Sequence, residues 1–532
     1  MMEEVVNKKK IFVRLETYDI LFMLYNLLAF NTVFFEKVYR ESSLLFTIGS
    51  FVVLWALGSL CCFILFHKHT VKPLSWLFLL INGSVFYFVK TYNVYIDDEM
   101  LRNTLQTNWA ETQDLLNWKW AAYILLLGFL PCLLIWRLQF APKTSVKAKT
   151  FLILGLILIA VTPIAVSFQK TAPFVRSHKP LKYQLIPVNY ISAVNSMVKK
   201  YYRENHEFME IGRDARFEKY WQNDKKNLLV LIVGETARAD HFSFNGYERD
   251  TNAPLNGYKQ NIINYPHAVS CGTSTAVSLP CMFSRNKRAD FVSGSMAYTE
   301  NLLDVMKRGG YHVVWVENNS DCKDICPRIE TLYPCRAYPQ EADCLDAVML
   351  PEIGKSMPKE PQNTVIVLHQ IGSHGPKYFK RYKPEKAPYL PACNTEKLDE
   401  CSHEELINVY DNTIDYTSQN IADIIATVAP YKKDYNIMLF YVSDHGESLG
   451  ENNIYLHSAP YIIAPQEQKD IPFFIWAEDE TFAALNLDKE CLTDSASEPI
   501  SHDNFFHSVL SVGGIHTTEY VQDLDLFAKC KK

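Results

Sequence analysis

Charged residues are spread unevenly along this chain of 532 residues. Five windows, residues 20–35, 42–66, 74–89, 120–136 and 150–168, contain no Asp, Glu, Lys or Arg. A helix needs about 20 mostly apolar residues to cross a bilayer core, and each window reaches that length with its uncharged or snorkelling flanks. The pattern predicts an α-helical membrane domain of five transmembrane helices over residues 1–170. The first window follows Lys8, Lys9 and Lys10 and could be read as a signal peptide, but no small-residue cleavage site follows it and four more windows do. The windows near Leu74 and Trp120 are short enough to be buried core helices instead.

Past residue 170 the period changes. Residues 171–226 read as a linker in which Ile191, Val194, Val198 and Tyr201 recur at helical spacing behind a candidate cap, Asn189, with Lys199, Lys200 and Arg203 beside them. Such a juxtamembrane helix suits a membrane surface or a packed position on the next domain equally well. From residue 227 onward, apolar β-branched runs at 227–233, 312–316, 364–368, 436–442 and 472–476 alternate with helical stretches. That alternation predicts an α/β domain over residues 227–532, built on a mostly parallel, doubly wound sheet covered on both faces.

Whole-chain averages hide this division. A charged fraction of 21% and a mean hydropathy of −0.08 suit an ordinary globular enzyme. The net charge of −6, however, separates into +5 up to Lys170 and −11 after it. The acidic second part argues against a nucleic-acid partner, which calls for a basic face. Basic residues concentrate in the N-terminal tail (Lys8, Lys9, Lys10, Arg14), the second loop (Lys68, Lys72) and the fourth (Arg137, Lys143, Lys147, Lys149), whereas the third loop carries Asp97, Asp98, Glu99, Glu111 and Asp114. Basic loops stay on the cytoplasmic side, so the N-terminus is expected inside and everything after residue 168 outside.

Cysteine usage gives an independent view of that orientation. Of 13 cysteines, Cys61, Cys62 and Cys132 lie in the apolar windows. The other ten, Cys271, Cys281, Cys322, Cys326, Cys335, Cys344, Cys393, Cys401, Cys491 and Cys530, all lie in the part expected outside. An even set there reads as disulfides in an oxidising periplasm. A zinc-cluster reading of Cys322 and Cys326 lacks a second pair of thiols or histidines at finger spacing. Connectivity stays open at this level. Pairing of sequence neighbours is the expectation: 271 with 281, 322 with 326, 335 with 344, 393 with 401, and, least constrained, 491 with 530.

In open parallel sheets the site lies beyond the carboxyl ends of the strands. The first run is followed by Glu235 and Thr236, the second by Glu317, Asn318 and Asn319, the third by His369 and then His374, and the fourth by Ser443, Asp444, His445, Gly446 and Glu447. Carboxylate and imidazole donors repeated at strand ends suit a zinc ion with an open position for substrate. Asp444 and His445, being adjacent, reach one ion only if the backbone turns, which Gly446 permits. Residues 270–284, SCGTSTAVSLPCMFS, place Thr273, Ser274, Thr275 and Ser278 between two cysteines and ahead of a helical stretch. A hydroxyl at a helix N-terminus faces free N–H groups that suit a phosphate, and a metal there would activate it as a nucleophile. An ordinary helix cap is the plain alternative. Gly446-Glu447-Ser448-Leu449-Gly450 matches the nucleophile-elbow pattern of esterases, but Asp444 and His445 occupy the strand exit where that motif needs its first glycine.

Taken together, the five windows, GETAR at 234–238, CGTSTAVSLPCMFS at 271–284, the HxxGSHGP pattern at 369–376 and SDHGESLGE at 443–451 resemble the bacterial phosphoethanolamine transferases that modify lipid A. This group includes the polymyxin-resistance enzymes and belongs to the alkaline phosphatase and sulfatase superfamily. The resemblance covers essentially the whole chain and implies an inner-membrane protein with a periplasmic catalytic domain. It implies Thr275 as the nucleophile that becomes phosphoethanolaminated, and Glu235, Asp444, His445 and the Thr275 oxygen as ligands of one tight zinc. It implies His374 and His457 as histidines that contact phosphate or hold a second, weaker zinc, either of which could protonate the leaving group. Asn319 and Lys323 are implied to grip the phosphoethanolamine group. The implied donor is phosphatidylethanolamine, the implied acceptor lipid A or another part of lipopolysaccharide, and the implied working form a monomer. Two rivals stay open: a related phosphoglycerol transferase, phosphodiesterase or sulfatase, and a non-enzymatic membrane sensor or scaffold. A sulfatase wants a formylglycine motif that is missing here, and a scaffold would be expected to have lost a ligand or the nucleophile.

Overall fold

The computed structural model describes residues 11–92, 94, 96–97, 100–101, 118–140, 145–167, 171, 174–175, 178–204, 206–337, 344–396, 398–451, 454–459 and 461–532. Lys8, Lys9, Lys10, Lys143, Asp98, Glu99, Glu111 and Asp114, which weigh in the orientation argument, lie outside them. The chain divides into two compact units, Met1–Asn205 and His206–Lys532. Residues 206–226, placed in a linker on sequence grounds, belong to the second unit. There Arg216–Phe217 pairs antiparallel with Ile515–His516, which ties the start of the unit to its C-terminal region.

Among the described residues of the first unit, four helices are long and apolar enough to cross a membrane: α3 (Leu44–Leu65), α4 (Val71–Tyr92), α5 (Trp118–Arg137) and α6 (Val146–Val166). The first window forms a bent pair, α1 (Leu15–Phe30) and α2 (Thr32–Glu41), which meet at 71° and together are long and apolar enough to count as a fifth span. Asn31 sits at the break, fully buried. Its amide donates to the Ile186 carbonyl (2.9 Å) and its oxygen accepts from the Ile186 N–H (2.8 Å), so the polar groups at the bend are satisfied inside the unit. In α5, residues Ile124–Phe129 widen into a π-helix. A Cβ on Gly128 there would lie 3.0 Å from the Leu79 carbonyl of α4, so a small residue allows this close approach. Helix α7 (Val188–Glu204) begins ahead of Asn189, which therefore lies in its first turn rather than capping it. The apolar stripe of α7 is uncovered, with Ile191, Val194, Val198 and Tyr201 all about half exposed or more.

The second unit is built on an eight-stranded sheet: β1 (Lys226–Gly234), β2 (Ile262–Val269), β3 (His312–Glu317), β4 (Glu330–Leu332), β5 (Thr364–His369), β6 (Tyr435–Ser443), β7 (Asp470–Ala477) and β8 (Ile500–Ser501), in the spatial order β8-β2-β7-β6-β1-β5-β3-β4. Only β7 runs against its neighbours; every other pairing is parallel. Central strand β1 shows why the sheet is covered on both faces. Leu229, Leu231 and Val233 enter one core with α8 (Thr275–Met282), α9 (Leu302–Arg308) and α11 (Asp503–Val512). Leu228, Val230 and Ile232 enter the other with the long helix α10 (His403–Val428). A nearly continuous apolar run is what such a two-faced strand requires. Strand β2 is absent from the sequence-based expectation because Asn264, Pro266 and His267 interrupt its apolar alternation; tertiary pairing with β7 holds it in the sheet.

Disulfides join Cys271 to Cys281, Cys322 to Cys326, Cys335 to Cys344, Cys393 to Cys401 and Cys491 to Cys530. Cys61, Cys62 and Cys132 are free thiols in the first unit.

Candidate active site and metal centre

Register decides which strand ends meet. Gly234 pairs with Ser443 across β1 and β6, so Glu235 and Asp444 leave adjacent strands at the same level. On the other side of β1, His369 of β5 pairs with both Val233 and Glu317. The carboxyl end of β2 leads into α8, whose first residue is Thr275. Ligand atoms of Glu235, Asp444 and His445, all buried, lie within 4.8 Å of one another. The half-buried Thr275 adds a fourth: its Oγ1 donates to the Glu235 carboxylate at 3.0 and 3.1 Å and lies 3.4 Å from His445 Nε2.

The backbone turn that brings Asp444 and His445 together depends on Gly446 for space rather than for a positive φ. A Cβ there would stand 2.1 Å from the Glu467 carbonyl oxygen. The Gly446 carbonyl in turn accepts from His445 Nδ1 (2.8 Å), which leaves Nε2 as the lone-pair donor facing Glu235 and Asp444. Asp444 Oδ1 accepts two backbone N–H groups, from Thr236 (3.2 Å) and His445 (2.8 Å). Its Oδ2 is buried with no hydrogen-bond partner.

The electrostatics carry the same message. Burial and the neighbouring Glu235 carboxylate push Asp444 up to about 7. Burial opposes the charged form of His445, yet Asp444 and Glu235 hold it up at about 10. Glu235 stays below its ordinary value despite burial, held by its hydrogen bond to His445 and by the charges of His445, His374 and His457. Two carboxylates side by side in a dry site need compensating positive charge. An orphaned carboxylate oxygen, a second carboxylate, an oriented imidazole and a hydroxyl together fit a tetrahedral zinc site.

His457 stands next to this cluster, with its ring centroid 4.5 Å from that of His445 and 5.6 Å from that of His374. Its Nδ1 donates to buried Glu447 at 3.2 Å. Burial lowers the pKa of His374, against the pull of Glu235. Asn319 is also at the site, but its amide donates to Glu235 Oε2 (2.7 Å) and to the Gln370 carbonyl (3.0 Å). Lys323 takes a left-handed conformation, φ 50°, and its Nζ bonds Ser320 Oγ at 3.0 Å in the same loop rather than any of the four clustered ligands.

Three further groups stand beside the cluster; residue patterns had offered Glu317 and His369 as strand-end donors and Ser278 as a candidate hydroxyl, and had passed over His502. His502 accepts from the Cys271 N–H (3.1 Å) and donates to the Ser443 carbonyl (2.9 Å), so it couples the loop ahead of Thr275 to the exit of β6. Ser278 bridges the same two segments, accepting from the Gly272 N–H and donating to the Asp444 carbonyl. Behind Asn319, buried His369 lies with Nδ1 3.0 Å from both oxygens of Glu317, which also accepts the Asn319 N–H at 2.7 Å. His369 and Glu317 stand at strand ends in the sequence; His502 carries no local signal.

Comparison with known proteins identifies the family of the chain. Residues 227–515 match the family described as Sulfatase, and residues 54–202 match that described as Phosphoethanolamine transferase EptA/EptB. Phosphoethanolamine transferase EptA of Escherichia coli (strain K12) is 36% identical over 472 residues, covering 87% of this chain and 86% of that protein. Phosphatidylethanolamine transferase Mcr-1 of Escherichia coli is 34% identical over 492 residues, covering 88% and 91%. Among solved structures, the integral membrane lipooligosaccharide phosphoethanolamine transferase A of Neisseria meningitidis superposes with a TM-score of 0.65 at 32% identity, covering 98% of this chain and all of that one. The soluble domain of the same transferase gives 0.59 at 36% identity, over 62% of this chain and 99% of its own. With helices of membrane-spanning length ahead of a sulfatase-type domain whose strand ends converge on one hydroxyl, this chain belongs to the phosphoethanolamine transferase family.

Proposed function

We propose that this protein moves phosphoethanolamine from phosphatidylethanolamine to lipid A, or to another part of lipopolysaccharide, through a covalent intermediate on Thr275. The observation that carries the reading is the convergence of Thr275 Oγ1 on Glu235 and His445 beside the orphaned Asp444 oxygen. Glu235, Asp444, His445 and Thr275 would hold one zinc, and His374 with His457 would hold a second, weaker one or contact phosphate. Zinc bound there supplies positive charge that favours the deprotonated threonine oxygen and offsets charge on the phosphoryl oxygens.

The chain's own groups do the rest. Thr275 Oγ1, oriented by its hydrogen bond to Glu235, gives up its proton to solvent. Oγ1 then attacks phosphorus, and the bond from phosphorus to the diacylglycerol oxygen breaks. His374 or His457 delivers a proton to that oxygen, and diacylglycerol leaves. In the second half, an acceptor phosphate or hydroxyl oxygen attacks the phosphorus on Thr275, the P–Oγ1 bond breaks, Thr275 takes a proton from solvent, and the histidine is reprotonated by the acceptor hydroxyl or by water. Lys323, freed from Ser320, and Asn319 would grip the phosphoethanolamine group. The basic-residue pattern places the N-terminus in the cytoplasm and the His206–Lys532 unit in the periplasm of a bacterial inner membrane, where the uncovered stripe of α7 would lie on lipid. The enzyme would work as a monomer.

Intact-mass measurement of the full chain after incubation with phosphatidylethanolamine tests the reading. A phosphoethanolamine adduct is expected on the wild type and not on Thr275→Ala; the same adduct on that variant would overturn the assignment. An adduct formed only from phosphatidylglycerol would favour a phosphoglycerol transferase. Lipid A mass spectra from cells with and without the protein identify the acceptor, and unchanged lipid A would direct attention to Kdo, heptose or protein acceptors.

A further inference from the structure

Shortly after His457 the chain makes an excursion that carries the most exposed large apolar side chain among the described residues of the second unit. Ile462 is 94% exposed and Ile463 is 74% exposed. Isolated apolar residues on a surface need no explanation, but two adjacent isoleucines this bare at the tip of a turn do. The turn is also held firmly. The Ser458 N–H donates to the Thr273 carbonyl (2.7 Å), Thr273 Oγ1 donates to the Ala459 carbonyl (2.6 Å), and the Tyr461 hydroxyl donates to the Ser270 carbonyl (3.0 Å). Three bonds therefore fasten this turn to the segment that ends in the nucleophile Thr275.

Charge surrounds the tip in a particular way. The guanidinium of Arg288 lies over the Tyr461 ring, 3.4 Å from its centroid, while its Nε donates to the Cys271 carbonyl (3.0 Å). Lys469 Nζ lies 5.5 Å from the same ring. Next in sequence to the two bare isoleucines there is thus an aromatic ring with two cations over it, and with Asp470 and Asp503 also acting on it. Apolar tip, aromatic collar and basic residues together match the layers of a phospholipid surface: acyl chains, interface and anionic headgroups.

We propose that Ile462 and Ile463 form a fingertip that enters the phospholipid surface from which the substrate is drawn, with Tyr461, Arg288 and Lys469 at headgroup level. Because the turn is bonded to residues 270–273, its insertion sets the height of Thr275 above the membrane. The inference rests on the reading that the donor is a membrane lipid.

The test uses the full chain in nanodiscs of phosphatidylethanolamine with phosphatidylglycerol, in a background of Cys61→Ser, Cys62→Ala and Cys132→Ala. An environment-sensitive fluorophore on Ile462→Cys is expected to shift to the blue and to be quenched by lipids spin-labelled near the top of the acyl chain. The same probe on Gln260→Cys, exposed and adjoining the opposite end of β2, is expected to show neither effect. A probe at 462 that behaves like the one at 260, or that is shielded without being quenched by labelled lipid, overturns the proposal; the latter result would mean a protein contact. Because quenching needs no turnover, failure of the transferase reading is seen separately, as absence of the Thr275 adduct. The double variant Ile462→Ser, Ile463→Ser is expected to lose about tenfold in adduct formation from bilayer donor and to match the wild type on a short-chain, monomeric phosphatidylethanolamine. An equal loss on both donors overturns the proposal.

Discussion

Asn319 Nδ2 donates to Glu235 Oε2 at 2.7 Å, the same oxygen that accepts from Thr275 Oγ1 at 3.0 Å. The residue that family resemblance assigns to substrate therefore also orients a carboxylate of the candidate metal site, and its own N–H is fixed by Glu317. Groups that orient ligands affect metal affinity by roughly 10–100-fold. Asn319→Asp replaces a donor with a third carboxylate and is expected to lower both zinc content after dialysis and transfer activity. Elemental analysis of the purified chain checks this: a residue that touches only substrate would leave the zinc content unchanged.

Gly446→Ala is expected to be far more damaging than its size suggests. The new methyl would collide with the Glu467 carbonyl, a backbone atom that cannot swing aside. Overpacking of this kind costs about 1–3 kcal/mol, and here relief must move His445, whose Nδ1 bonds the Gly446 carbonyl. Urea unfolding should show the loss of stability, and zinc content should fall with it.

His507, buried on α11, accepts the Val521 N–H at Nδ1 (3.1 Å), a bond that only the unprotonated nitrogen can make. Burial, with Lys287 nearby, lowers its pKa to about 4. The unfolded chain takes up this proton below about pH 6.5 while the folded chain does not. The contribution to stability is therefore complete above about pH 6.5 and is lost as pH falls toward 4, by up to about 3 kcal/mol. His507→Asn, which keeps an acceptor and cannot titrate, should flatten this part of the stability curve in urea melts at a series of pH values.

The bridge from Cys491 to Cys530 spans 39 residues, the longest loop closed by the five. Chain entropy assigns such a loop about 4 kcal/mol, against about 2.5 kcal/mol for the eight-residue span of Cys393 and Cys401. Replacing both members by serine should lower the unfolding midpoint more for the first pair than for the second. Equal losses would show that native packing, not loop closure, sets their contribution.

Much of this was legible in residue order. The charge-free windows, the β-branched runs and the donors at 235, 444 and 445 are local patterns, and each reports on the solvent or the sheet face its own segment meets. The break at Asn31 was not legible, because what makes a polar bend tolerable is a partner at Ile186. Strand β2 was missed because pairing with β7, not its own composition, holds it in the sheet.

Sequence by itself determined that the chain has a part fit for lipid and an α/β part with cysteines, and that the second gathers ligand-type residues behind its strands. Only the tertiary structure decided that Asp444 Oδ2 is left without a hydrogen-bond partner, that Asn319 steadies Glu235, and that His502 reaches Cys271 from 231 residues away. Periodicity is a property of neighbours along the chain. Desolvation and contact depend on neighbours in space, and those exist only after the strands have taken their order and register.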